Sequence, residues 1–96
     1  MTVRVVAHIK ARPDTIDATR DLLMTLIDPT RAESGCIKYE LLQNDTDPTD
    51  FTFVEEWASS DWLSAHLQTE HLHYVAEKGE KLFAAPPDIR LYTLVA

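Results

Sequence analysis

Residues 51–75, FTFVEEWASSDWLSAHLQTEHLHYV, hold both tryptophans of the chain, the adjacent carboxylates Glu55 and Glu56, and the histidines His66, His71 and His73. An imidazole with an ordinary pKa of about 6.5 accepts a proton at neutral pH. A neighbouring carboxylate can orient and polarise such a ring, and indole and phenyl rings can wall off water. The combination points to general acid–base chemistry at the mouth of a small pocket. His66 is the candidate base, Glu56 its orienting partner and His71 a supporting group. The plain alternatives are a helix-end histidine satisfied by a backbone carbonyl and a buried structural carboxylate.

Glu55 and Glu56 are consecutive on a strand, so their side chains face opposite ways. Glu56, beside Trp57, is placed inward and Glu55 outward. His71 and His73 are two residues apart on a helix and diverge, leaving His73 at the surface. His66, His71 and Glu56 are also ligand types that zinc accepts, but the helix break between the two histidines leaves no i, i+4 pair. Ala7, Tyr39, Phe53, Trp57, Trp62, Tyr74 and Phe83 make up the candidate pocket wall. The aromatic members could equally serve the core or an interface.

The elements that must position these groups follow from hydrophobic period. β-Branched residues alternate over 3–11, with Val3, Val5, Ala7 and Ile9 on one face and Val6 and His8 on the other, which predicts a first strand. Apolar positions recur with helical spacing from Ile16 through Leu23 and Ile27 towards Ala32. Asp14 or Thr15 is placed to cap this helix, Pro29 to kink or interrupt its later half and Gly35 to end it as a C-cap. A second strand is expected over 36–44, with Ile37, Tyr39 and Leu41 on one face. The turn at 45–50 returns the chain as a third strand, 51–57. A short helix over 61–67, a longer one over 70–83 stopped by Pro86-Pro87, and a fourth strand over 89–95 complete the order. The pattern β-α-β-β-α-β is that of an α+β, ferredoxin-like antiparallel sheet with helices on one face. Apolar residues on both faces of the strands predict that the second face is covered by another copy of the chain, as a homodimer, with His8 at the interface.

A chain of 96 residues is expected to form one domain, 1–96. Its 9 basic and 16 acidic residues, net charge −7, are scattered and exclude nucleic acid and anionic membrane as favoured partners. The single cysteine, Cys36, cannot form an internal disulfide, and the N-terminus lacks the apolar core of a signal peptide. A cytoplasmic location is the expectation.

The run Glu33-Ser34-Gly35-Cys36-Ile37-Lys38-Tyr39, then Asp47-Pro48, Glu56-Trp57-Ala58-Ser59, His66-Leu67, His71-Leu72 and finally Pro87 resembles the antibiotic biosynthesis monooxygenase domain family over nearly the whole chain. The resemblance implies a dimeric α+β barrel. It also implies oxidation of a small electron-rich phenol or hydroquinone by O₂ with no metal, flavin or haem: a phenol that loses its proton can hand an electron to O₂ directly, so the protein need only bind it, deprotonate it and exclude water. His71 and Glu56 match family positions. The haem-degrading branch of the family uses an asparagine, a tryptophan and an axial histidine where this chain has Ala7, His66 and Ala76, so haem is not expected. Isomerisation of a small carbonyl compound, or ligand binding without turnover, is the alternative on the same scaffold.

Overall fold

The computed structural model describes residues 2–96. Strand β1 (Val3–Lys10) buries Val5, Ala7 and Ile9 on one face and turns His8 and Lys10 to the other, the period-2 alternation of a half-buried strand. Of the kink or interruption expected at Pro29 the structure takes the interruption, as helix α1 (Ile16–Met24) and helix α2 (Ile27–Arg31). The break falls at Thr25 and Leu26, four residues ahead of Pro29. Proline has no N–H for the carbonyl of Thr25 and its ring crowds that carbonyl. The chain tightens instead, with Thr25 N–H donating to Leu22 O at 3.1 Å and Leu26 N–H to Leu23 O at 3.1 Å. Thr15 stands at the start of α1 without capping it; its hydroxyl donates to Leu82 O at 2.7 Å.

Gly35 is not a C-cap, since α2 stops at Arg31 and no described residue has a positive φ. It is needed for close approach. A Cβ on Gly35 would stand 2.1 Å from Cγ of Trp62 and 2.3 Å from its Cβ. Strands β2 (Cys36–Gln43) and β3 (Asp50–Trp57) form the expected hairpin, but an irregularity between Cys36 and Lys38 throws Ile37 out to solvent, away from the face shared by Tyr39 and Leu41. Such a bulge shifts the alternation by one residue.

Helix α3 (Ser60–His66) is capped by Ser59, whose hydroxyl accepts from Trp62 N–H at 3.3 Å, and helix α4 (Glu70–Gly79) by Thr69, which accepts from Leu72 N–H at 3.4 Å. Helix α4 ends at Gly79 rather than near Phe83. The Phe83 ring folds back onto Gly79, and Phe83 bridges to Ala11. Strand β4 (Asp88–Tyr92) is shorter than the expected 89–95.

The strands lie in the order β2-β3-β1-β4, every neighbouring pair antiparallel. This is the α+β, ferredoxin-like arrangement. Val5, Ala7, Ile9, Tyr39, Phe51, Phe53 and Trp57 pack with Leu22, Leu23, Leu26, Leu63 and Val75 into the core between sheet and helices. The opposite face, carrying Arg4, Val6, His8, Leu42, Thr52, Val54 and Glu56, has no helix packed over it among the described residues. Among the described residues no helix is long and apolar enough to cross a membrane.

Because the atoms that a Gly35 side chain would meet are the root of Trp62 and not its far end, Gly35→Ala is expected to lower stability by about 1–3 kcal/mol in urea unfolding. The same substitution made in a Trp62→Ala background is expected to cost clearly less. Equal costs in both backgrounds would show that this packing does not decide the requirement for glycine.

Candidate active site

Glu33, in the connection between α2 and β2, places Oε2 2.8 Å from Nδ1 of His66 and 2.8 Å from Nε2 of His71. A carboxylate oxygen can only accept, so both rings donate to it. That fixes His66 with its proton on Nδ1 and the lone pair of Nε2 free, and no described residue hydrogen-bonds Nε2. His66 closes α3 and His71 lies in the first turn of α4, the two elements being joined by a tight turn in which Thr69 Oγ1 donates to His66 O at 2.8 Å.

The His66 ring is 3% exposed. It lies against the Trp57 indole with centroids 4.6 Å apart and meets the Tyr39 ring edge-on at 5.8 Å. Burial holds its pKa below the ordinary 6.5, against the opposing pull of the Glu33 carboxylate. The ring is therefore neutral at pH 7 and able to accept a proton at Nε2.

Between the sheet and the helices is a cavity of about 170 Å³, whose lining includes Ala7, Tyr39, Phe53, Glu55, His66 and Phe83. An apolar void of roughly 150 Å³ can take a benzene ring, so the space suits a single aromatic ring. Glu55 projects into this wall and is 5% exposed, with Oε1 accepting from the Trp57 indole N–H at 2.8 Å. Burial pushes its pKa up to about 7, partly offset by the Trp57 hydrogen bond and reinforced by the charge of Glu33. At neutral pH it can thus either give or take a proton. Burial, reinforced by the charge of Glu55, also raises the pKa of the Tyr39 hydroxyl and keeps it protonated.

The expected pairing of His66 with Glu56 is corrected. Glu56 lies on the opposite sheet face, beside Arg4 at 3.6 Å, because Phe53, Glu55 and Trp57 share one face by parity and Glu56 cannot. The carboxylate hydrogen-bonded to His66 is that of Glu33, and the inward carboxylate of β3 is Glu55. Ala7, Tyr39, Phe53 and Phe83 line the cavity, whereas Trp57 is fully buried behind Glu55 and His66. Trp62, 44% exposed, is spent against Gly35, and Tyr74, 52% exposed, carries the Lys78 ammonium 5.8 Å from its ring centre. Neither reaches the cavity. His71 stands behind His66, with ring centroids 6.1 Å apart. Oε2 of Glu33, Nδ1 of His66 and Nε2 of His71 all lie within 4.8 Å of one another, a donor set suited to a divalent transition metal.

Glu55 has a folded pKa above its unfolded value of 4.5, so rising pH ionises the unfolded chain first and removes stability between about pH 4.5 and 7. Glu55→Gln keeps an acceptor for Trp57 but cannot ionise. Relative to the parent, this variant is expected to gain up to about 3 kcal/mol between pH 4.5 and pH 8 in denaturant unfolding. A parallel pH dependence in the two proteins would show that Glu55 titrates normally.

A family model described as antibiotic biosynthesis monooxygenase matches residues 2–78. The chain is 36% identical over 90 residues to the uncharacterised protein sll1783 of Synechocystis, covering 94% of this chain and 61% of that protein. It is 40% identical over 81 residues to Rv0793 of Mycobacterium tuberculosis, whose name assigns it provisionally as a monooxygenase, covering 83% and 79%. Among solved structures, PA3566 of Pseudomonas aeruginosa superposes with a TM-score of 0.93 at 30% identity, covering 99% of this chain and 95% of that one. A crystal structure described as an antibiotic biosynthesis monooxygenase gives 0.91 at 29% identity, covering 98% and 99%. By the extent of the family match and by these relatives, the chain belongs to the antibiotic biosynthesis monooxygenase family.

Proposed function

We propose that the protein oxidises a small, electron-rich phenol or hydroquinone with O₂ and needs no cofactor to do so. The observation that carries this reading is His66: Nδ1 is locked on Glu33, and the imidazole sits in the wall of a single-ring apolar cavity with Nε2 left free. In such a site Nε2 removes the phenolic proton, and the resulting phenolate, kept from water by Phe53, Phe83 and the core, transfers an electron to O₂. For a hydroquinone, one oxygen atom enters a ring carbon and the other leaves as water, with the substrate supplying all four electrons. Glu55, on the same cavity, can return a proton to the reduced oxygen. The family match and the monooxygenase names among relatives support the oxidative direction.

A second reading rests on the same two groups. His66 as base and Glu55 as acid on one cavity are also the equipment for moving a proton within a small carbonyl compound.

Oxygen uptake measured with a panel of hydroquinones separates the two. Uptake is expected in the parent, reduced by at least about 10²-fold in His66→Ala, and reduced to a lesser degree in Glu33→Gln, which leaves the ring without its anionic acceptor. No uptake with any quinol, together with isomer formation from a carbonyl substrate, would replace the oxidative reading with the second.

The homodimer belongs to the same proposal. The uncovered sheet face presents Val6, Val54 and Leu42 among Arg4, Glu56 and Glu40, a mixture of apolar and charged groups suited to a second copy. Sedimentation is expected to give twice the chain mass at micromolar concentration. A monomer mass there would remove the dimer from the proposal.

A further inference from the structure

We infer that Glu33, His66 and His71 form a binding site for one divalent first-row transition-metal ion. One carboxylate and two imidazoles, contributed by three separate segments, bring their donor atoms within 4.8 Å of one another. That is a three-ligand set of the kind zinc takes when it leaves a fourth position open to water. The set differs from the one sequence spacing suggests, with Glu33 standing where Glu56 was expected.

Zinc ligands at about 2.0–2.1 Å in tetrahedral array lie about 3.4 Å apart. The two Glu33 contacts of 2.8 Å are hydrogen-bond lengths, so binding lengthens each by about half an ångström. The histidines are placed by the end of α3 and the start of α4, with the turn between them tied by Thr69. Rotation of the Glu33 side chain lengthens its two contacts, and rotation of the partly exposed His71 closes the two ring nitrogens, within 4.8 Å of one another, to about 3.4 Å. His66 is 3% exposed at its side chain, while His71 and Glu33 are 24% and 16% exposed, which gives an ion a solvent-facing approach from their side.

The proton inventory closes without loss. When the metal takes Nδ1 of His66, the ring proton moves to Nε2; when it takes Nε2 of His71, that proton moves to Nδ1. The neutral rings and the ionised Glu33 keep their charges. One consequence rests on the function proposed above: with its proton on Nε2, His66 faces the cavity as a donor and no longer as a base, so metal loading silences the oxidation.

The test uses the full chain stripped with EDTA and titrated with Zn²⁺ by calorimetry and with Co²⁺ by visible absorption, neither of which needs turnover. Expected are one ion per chain and the intense d–d bands of low-coordinate Co²⁺. Affinity is expected to fall at least tenfold in His71→Ala and in Glu33→Gln, and to stay unchanged in His73→Ala, whose imidazole is exposed on the same helix. The absence of both heat and bands overturns the site, as does parent affinity retained in His71→Ala and Glu33→Gln, which would put the ion elsewhere, such as beside His8 and Asp50. In a preparation that consumes O₂ with a quinol, saturating Zn²⁺ is expected to cut uptake at least tenfold, reversibly with EDTA. Uptake unchanged at saturation overturns the silencing and leaves the binding result to stand by itself.

Discussion

A single oxygen atom, Oε2 of Glu33, holds the two histidines of the site in one orientation. Each bond joins an ionised acceptor to a ring N–H, the charge-assisted kind worth roughly 1.5–3 kcal/mol. Both span long stretches of chain, 33 and 38 residues, so they form only when the connection after α2 is pressed against the corner between α3 and α4. Gly35 permits that approach. Its missing side chain lets Trp62 lie flat on the backbone, and its carbonyl accepts from Ala58 N–H at 2.9 Å, tying the same connection to the end of β3.

The cavity's chemistry comes from dryness applied to two groups of opposite charge type. Burial disfavours the charged form of each, so it lowers the pKa of His66 and raises that of Glu55 to about 7. Glu55 is thereby raised past His66, which puts an acceptor and a potential donor on one wall near neutral pH. The Trp57 indole N–H keeps Oε1 of Glu55 paired, while the indole face supports His66, so one fully buried side chain serves both groups.

The element order was legible because each segment carries a clean period: alternation over β1 and β3, helical spacing in α1, and hydroxyl caps at Ser59 and Thr69. Pro29 was legible as an interruption but not in its place, since proline acts on the carbonyl four residues earlier. The inward carboxylate could have been found. Phe53 and Trp57, four residues apart, share one strand face, and parity puts Glu55 between them, leaving Glu56 with Arg4 on the other. The family-like run Glu56-Trp57-Ala58-Ser59 begins one residue later, at the carboxylate of the other face. Trp62 and Tyr74 carry no local mark that separates a pocket wall from a packing or surface role, and only their exposure distinguishes them.

Sequence alone determined the fold class and singled out His66, Tyr39, Phe53 and Phe83, because these depend on residue type and on periods a few residues long. The tertiary structure alone decided what His66 is bonded to. Glu33 opens the first family-like run, yet nothing within a few residues of it marks it as the partner of two histidines more than thirty positions away. Such a pairing is set by how the helices dock on the sheet, a long-range packing outcome that short-range patterns do not encode.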